Sequence, residues 1–537
     1  MTIMMTGLAE ATDPGPLRPT EVLSFKTMRP TVLLRLLPWA LGGLLVRAAT
    51  APDPILTTFH HENVLGTSFE LKVHSVDAAT ASRAEAVSLA EIDRLARIFS
   101  GYSPESEFSR WQRTRSRRVP ISSELLAVLV ASERWQRESQ GAFNPGVERL
   151  TRLWKTAAAA DRVPDTSDLA LVVRDLAKSA WRIDATAGTA EHLSDTPLSL
   201  NAIAKGYIIE QASAAASRTP GVEGVLLEIG GDLRVRGRFP HRVALTDPRN
   251  DAENAPPLTA LSVVDQGLAT SGGYRRGVRV RGQSFSHILD PRTGQPVQEV
   301  AGVTVLAPDA MTADALSTTL SVLGPVDGLR LVEANPGIAC LMVMSDGRQV
   351  RSSRWPATSW TPVLLADETA PKASAPAKSS PLELRVDFEI RRAEGGRYQR
   401  PYVAAWIEDK DGFPVRTLLL WILKSEKGQR WIPDLRRWHR GDQVRRLAED
   451  KDLTATLSGA TRNPGKYSVV WDGRDDHGEM LPSGNYTFYL EAAREHGTYQ
   501  LMKHPFAVGG DPFKVDLKGN EEIQGASLEY RRSTSGN

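Results

Sequence analysis

Apolar and polar positions fall into two rhythms along this chain, and the changes between them mark its elements. Leu56 to His74 alternates with the period of a strand, with Gly66-Thr67-Ser68 inside it. Ala79 to Phe99 switches to helical spacing: Leu89, Ile92, Leu95 and Ile98 share a face, with charges opposite. A second helix is predicted over Ser123 to Ser139. Gly224 to Gly237, GVLLEIGGDLRVRG, reads as strand, Gly-Gly turn, strand. The turn DPRTG, Asp290 to Gly294, precedes a β-rich run from Val300 to Leu306. A helix is then predicted from near Thr312, taken as its N-cap, to Gly324-Pro325. A further helix, the Asn335-Pro336-Gly337 turn and strands around IACLMVM and RQVRSS complete an α+β pattern.

The rhythm changes again after Ala366 to Pro381, ADETAPKASAPAKSSP, which has a linker's composition and no aliphatic spacing. Beyond it LELRVDFEI, YVAAWIED, RTLLLWIL, YSVVWDG and NYTFYLEAAR alternate between turn residues, the pattern of an all-β sandwich. At the other end, MRPTVLLRLLPWALGGLLVRAATA from Met28 has a basic start, a broken apolar stretch and the small-x-small site Ala49-Thr50-Ala51. It is read as a secretory signal peptide, too short and interrupted for a spanning helix. The expected division is 1–51 extension and signal, 52–365 first domain, 366–381 linker and 382–537 second domain.

Composition narrows the function classes. With 537 residues there is ample core for more than one domain. Lys+Arg 66 against Asp+Glu 64 leaves a formal charge of +2, which argues against a nucleic-acid-coating protein. The single cysteine, Cys340, lies in an apolar run and reads as a small buried hydrophobe. In the second half, WIPDLRRWHRGDQVRR (Trp431 to Arg446) interleaves aromatics and arginines, and reads as a packing element or partner surface rather than a nucleic-acid site. Asp472, Asp475, Asp476 and His477 read as turn formers rather than metal ligands.

The chemistry concentrates in the first half. Asp314 and Thr318 are four apart on the predicted helix, so a carboxylate and a hydroxyl face one way, a hard pair suited to Mg²⁺ beside phosphates. Lys205 offers a point charge, although a lone Lys is more often a solvated helix residue. Thr270 and Ser271, in GLATSGGY, offer hydroxyls and amides to phosphate. His287 belongs to a residue type able to move a proton near neutrality. Tyr102, in the loop of FSGYSPESEFSRWQ, could stack on a flat ring, although a lone loop tyrosine is more often plain surface.

Taken together, SHILDPRTG, MTADALSTTLSVLG, LSLNAIAKGYIIE, GLATSGGY, IGGD and GAFNPGVERLTRLW, spread between Leu56 and about Leu365, resemble the FAD:protein FMN transferase family, the ApbE-type flavin transferases. The resemblance implies that Ala202 (through its carbonyl), Asp314 and Thr318 hold Mg²⁺. It implies FAD contacts at Tyr102, Phe143, Asn144, Ser199, Lys205, Thr270, Ser271 and His287, with His287 as the base. Asn144 and Ser199 both stand where the family pattern has Asp. YSVVWDGRDDHGEMLPSGNYTFYLEAAR resembles the Ig-like repeat of flagellar hook capping proteins, and the whole second half resembles an uncharacterised periplasmic domain sometimes fused to flavin transferases.

The resulting expectation is an α+β flavin-transferase domain followed by an all-β, Ig-like sandwich, in a periplasmic protein that meets the membrane only by association or an uncleaved signal. Its expected reaction is Mg²⁺-dependent transfer of FMN from FAD to a Ser or Thr of an exported acceptor in an electron-transfer system, without nucleic acid. The alternatives left open are a FAD pyrophosphatase and a catalytically weakened flavin-binding scaffold. EEIQGAS, Glu521 to Ser527, shares Gly-Ala-Ser with the acceptor pattern D-x-x-(S/T)-G-A-(S/T), making Ser527 a remote self-acceptor candidate.

Overall fold

The computed structural model describes residues 53–250, 252, 255, 257–273, 277–356, 382–392, 399–423, 426–449, 453–494 and 498–532. The expected signal peptide and linker lie outside the described residues. The N-terminal region is organised on an eight-stranded sheet. Its spatial order is Ile55–Val64, Thr67–Ser75, Val222–Ile229, Asp232–Gly237, Gly267–Gly272, Val300–Ala307, Ala339–Met344 and Gln349–Arg351. Every neighbouring pair is antiparallel. The stretch expected as one strand is a hairpin, because Leu65 and Gly66 both take positive φ (51° and 81°) and reverse the chain without breaking its alternation.

Both faces of this sheet are covered, which explains why its central strands are apolar at consecutive positions rather than alternately. Leu71, Val225, Leu227, Val303, Val305 and Met342 face one core with the helices. Leu226, Val235, Leu268, Leu306 and Leu341 face another, closed by the hairpin His241–Thr246/Pro257–Val263. Cys340 is fully buried, as expected, and burial pushes its thiol up to about 11.

Three helices lie on the first face: α1 (Ala78–Phe99), α2 (Ala204–Ser217) and α3 (Ala310–Glu333). Helix α3 starts earlier than the sequence suggested. Asp309, not Thr312, is its cap, accepting from the Thr312 N–H at 2.7 Å and the Thr312 hydroxyl at 2.8 Å. A carboxylate at Asp309 outcompetes the threonine because it satisfies both donors at once. The helix breaks where expected, at Gly324 (φ 71°) before Pro325, and resumes to Glu333.

Helices α2 and α3 cap one another. Glu210 of α2 accepts the Ala310 N–H at 2.8 Å, while Asp314 of α3 accepts the Gly206 N–H at 2.8 Å. Two first-turn donors that would otherwise be stranded are thereby satisfied. The exchange requires close approach. A Cβ at Gly206 would collide with the Ala310 carbonyl oxygen and lie 2.7 Å from Asp314 Cβ.

The C-terminal region holds two four-stranded sheets, ordered Gly465–Trp471, Leu382–Ile390, Ile523–Arg532, Phe513–Lys518 and Pro414–Trp421, Tyr402–Glu408, Gly484–Ala493, Tyr499–Val508. Between them pack Val386, Phe388, Trp421, Trp471, Phe488 and Leu528. The expectation of β-sheets holds, and the aromatic–arginine stretch, read as a packing element or partner surface, runs into a helix, Arg436–Glu449. Its Trp438, with Ile432 and Leu435, packs against Trp406 and Leu420, and its Arg437 pairs with Glu408 at 2.5 Å. Asp475 accepts from the His477 and Glu479 N–H groups, the turn-forming role expected of it. No helix among the described residues is long and apolar enough to cross a membrane.

Gly206→Ala is expected to cost ~1–3 kcal/mol through overpacking at the α2–α3 contact. Urea unfolding of the full chain measures this, and an unchanged midpoint would show that the two helices can separate freely.

Candidate phosphate and metal site

The site grows from the same contact. Helix α2 begins within LSLNAIAKGYIIE, so Lys205 sits in its first turn and Ala202 just before it. Strand Asp232–Gly237 opens directly after the Gly-Gly turn, and its first residue is Asp232. The Lys205 Nζ stands 2.6 Å from Asp232 Oδ2, and Asp232 Oδ1 accepts the Thr270 N–H at 3.1 Å. Thr270 Oγ1 meets Thr304 Oγ1 at 3.0 Å. Next along the strand, Ser271 Oγ lies 2.8 Å from Ser317 Oγ and 3.0 Å from Thr318 Oγ1. Lys205, Thr270, Ser271, Asp314 and Thr318, expected from three separate sequence elements, are thus joined through α2, α3 and two strands.

Asp314 is the electrostatic centre. It is 4 % exposed, and burial, with Asp232 adding a like charge, pushes its carboxyl up to about 7 against the opposing pull of Lys205 and the Gly206 hydrogen bond. A cation would relieve both penalties. Among the described residues no group of three or more His, Cys, Asp or Glu is placed to hold a metal. The donors on offer are instead one carboxylate, a hydroxyl and a backbone carbonyl. That set fits Mg²⁺, which keeps waters and substrate phosphate oxygens in much of its coordination shell.

The remaining expected residues have other surroundings. Ser199 donates its N–H to the Pro145 carbonyl at 2.8 Å, tying LSLNAIAKG to FNPGV. The Asn144 amide is used internally: Oδ1 accepts from the Gly146 N–H, and Nδ2 donates to the Leu176 carbonyl. Phe143 is a core residue, only 4 % exposed. Tyr102 stands in an open loop at 87 % exposed. His287 is exposed in the bend after strand Gln283–Ser286, and Ser286 lines the same cleft as Thr270. The DPRTG turn that follows is pinned by Trp154, whose Nε1 donates to the Gly294 carbonyl at 2.9 Å. Sequence reasoning missed Asp232, Gly206, Glu210 and Ser317. Only Asp232 left a signal, being the acid of Gly-Gly-Asp.

An antiparallel sheet and its covering helices thus bring a lysine, buried carboxylates and hydroxyls together within an α+β fold. Residues 65–342 match the ApbE family model, and the chain belongs to the ApbE family. Residues 383–525 match a second model, described as predicted periplasmic protein (DUF2271). The FAD:protein FMN transferase of Vibrio cholerae is 32 % identical over 269 residues, covering 48 % of this chain and 79 % of that protein. That of Haemophilus influenzae is 30 % identical over 272 residues, covering 47 % and 76 %. The crystal structure of the ApbE protein from Thermotoga maritima superposes with a TM-score of 0.50 at 28 % identity, covering 56 % of this chain and 97 % of that one.

The Asp314 shift has a measurable sign. The folded chain favours the protonated carboxyl, so this group's contribution to stability is fully present below about pH 4 and is lost as pH rises through about 7. Asp314→Asn keeps an acceptor for Gly206 but removes the charge. In chelator, wild type is expected to lose more stability between pH 5 and pH 8 than the variant does in denaturant titrations. Parallel pH profiles would show that Asp314 carries no such penalty.

Proposed function

We propose that the chain transfers FMN from FAD to a Ser or Thr hydroxyl of an exported acceptor protein and releases AMP. The observation that carries this reading is the convergence of Lys205–Asp232, buried Asp314 and the Ser271–Thr318 hydroxyl pair in a chain of the ApbE family. Mg²⁺ bound by Asp314, Thr318 and the Ala202 carbonyl would supply neutralising charge to the pyrophosphate. Lys205 adds a second positive charge, while Thr270 and Ser271 orient phosphate oxygens. Tyr102, Asn144 and Ser199 border the rest of the dinucleotide, with Phe143 beside them. His287 takes the proton from the acceptor hydroxyl. The hydroxyl oxygen bonds to the FMN phosphorus, the bond from that phosphorus to the AMP oxygen breaks, and the proton leaves with AMP or to solvent.

The expected signal peptide and the match to a family described as a predicted periplasmic protein support a periplasmic site of action, where a covalent link retains flavin that would otherwise diffuse away. In this reading residues 52–365 form the transferase domain. Residues 382–537, read as an Ig-like sandwich, form a docking domain.

The test incubates purified chain with FAD, Mg²⁺ and an exported acceptor bearing D-x-x-(S/T)-G-A-(S/T). Flavin fluorescence of the denatured acceptor band and free FMN are both read. A fluorescent acceptor is expected, with its rate falling ~10²–10⁴-fold in His287→Ala. Free FMN without labelled acceptor would establish hydrolysis instead, and neither product would leave only a flavin-binding scaffold.

A further inference from the structure

His287 is carried by a different part of the molecule from the one that builds the phosphate site. Helices α2 and α3 rest on the large core through Ile209, Ala313, Leu316 and Leu320. The segment around His287 rests on a smaller core formed by Leu150, Trp154, Leu169, Val172, Leu176 and Leu289, with Phe285 packed against it. Two helices, Glu148–Ala159 and Thr166–Leu176, supply most of that core.

Phe285 and Leu289 stand two residues before and two after His287, and both turn into the small core. The exposed imidazole therefore takes its position from backbone that is held on either side. Within the span the Ile288 N–H donates to Ser286 Oγ at 3.1 Å. The Ile288 carbonyl accepts the Val297 N–H at 2.9 Å, and Leu289 bridges to Pro296. Residues 285–297 are thus closed on themselves as a loop, which returns to the large core at Val297.

Trp154 meets this loop at two points. Its ring pairs with that of Phe285, centroids 5.2 Å apart, and its Nε1 donates to the Gly294 carbonyl at 2.9 Å. The residue is only 4 % exposed, so its indole N–H has no water to replace that bond. Gly294 takes a positive φ of 76°, and a Cβ there would lie 3.0 Å from the Leu169 side chain. The turn is therefore seated closely on both helices of the small core.

We infer that Trp154 is a positioning residue for His287, fixing where the base stands relative to the phosphate site without touching substrate. The inference rests on the transferase reading above, in which His287 takes the proton of the acceptor hydroxyl. A base must come within hydrogen-bond reach of the proton it removes, and a misplacement of ~1 Å can cost ~10²-fold in rate. The phosphate-side donors are held by contacts among α2, α3 and the central sheet. Loss of the Trp154 contacts therefore shifts the base and leaves those donors in place. The links Asn144 to the Leu176 carbonyl and Ser199 to the Pro145 carbonyl involve no residue of the loop, so they survive as well.

The experiment uses the full chain with FAD, Mg²⁺ and the acceptor protein. Trp154→Phe keeps a ring but loses the Gly294 bond, whereas Phe285→Leu keeps the bond but loses the ring pair. Single-turnover labelling is expected to slow ~10-fold in each. The Kd for FAD, read by flavin fluorescence, and the Mg²⁺ concentration giving half-maximal rate stay within about twofold. In a His287→Ala background neither substitution slows the residual rate further, because the group they position is gone. A merely structural role would weaken FAD binding or slow His287→Ala as much as wild type. Either result, or labelling at the wild-type rate in both variants, overturns the positioning role and leaves the transfer reading standing. Absence of labelled acceptor with wild type overturns the transfer reading and this assignment with it.

Discussion

The exchange of caps between α2 and α3 is the constraint on which the rest of the structure depends. Each helix lends a carboxylate to the other's first turn, Glu210 to Ala310 and Asp314 to Gly206. The helix dipoles favour those carboxylates, because each faces the positive end of a helix. A glycine is needed at the crossing, and the shared approach brings Lys205 to Asp232 and Thr318 to Ser271. Packing, capping and charge placement are therefore one arrangement and cannot be altered separately.

This arrangement explains the cost carried by Asp314. A carboxylate buried beside a second carboxylate is unfavourable unless compensated, and Lys205 compensates only in part. A cation beside Asp314 would offset the charge that Lys205 leaves uncompensated. The energy of folding holds the donors in place, so little reorganisation remains for binding.

Much of this was legible in the sequence, for identifiable reasons. Helix and strand periodicity revealed the α+β pattern and the break at Gly324-Pro325, because those signals are local. The i,i+4 spacing of Asp314 and Thr318 put two oxygens on one face before any fold was known. Other features depend on contacts distant in the chain. Nothing near Gly206 announces a carboxylate 108 residues away, whereas the Asp309 cap, three residues before Thr312, was a local signal that the competing Thr312 obscured. The Leu65-Gly66 reversal was hidden because alternation survives a two-residue turn. The Arg436–Glu449 helix was hidden because its sequence is mostly arginine and other polar residues around the core residue Trp438, too few apolar positions to make a stripe.

The burial of Cys340 has a practical corollary. It is the only cysteine in 537 residues, lies at 0 % exposure inside the central sheet, and its thiol resists ionisation. Thiol reagents act on the thiolate and need access to it, so the native surface is blank to them. Any cysteine introduced at an exposed position would be the one reactive thiol on the folded molecule. The chain thus comes ready for site-directed labels and crosslinkers placed at chosen surface positions.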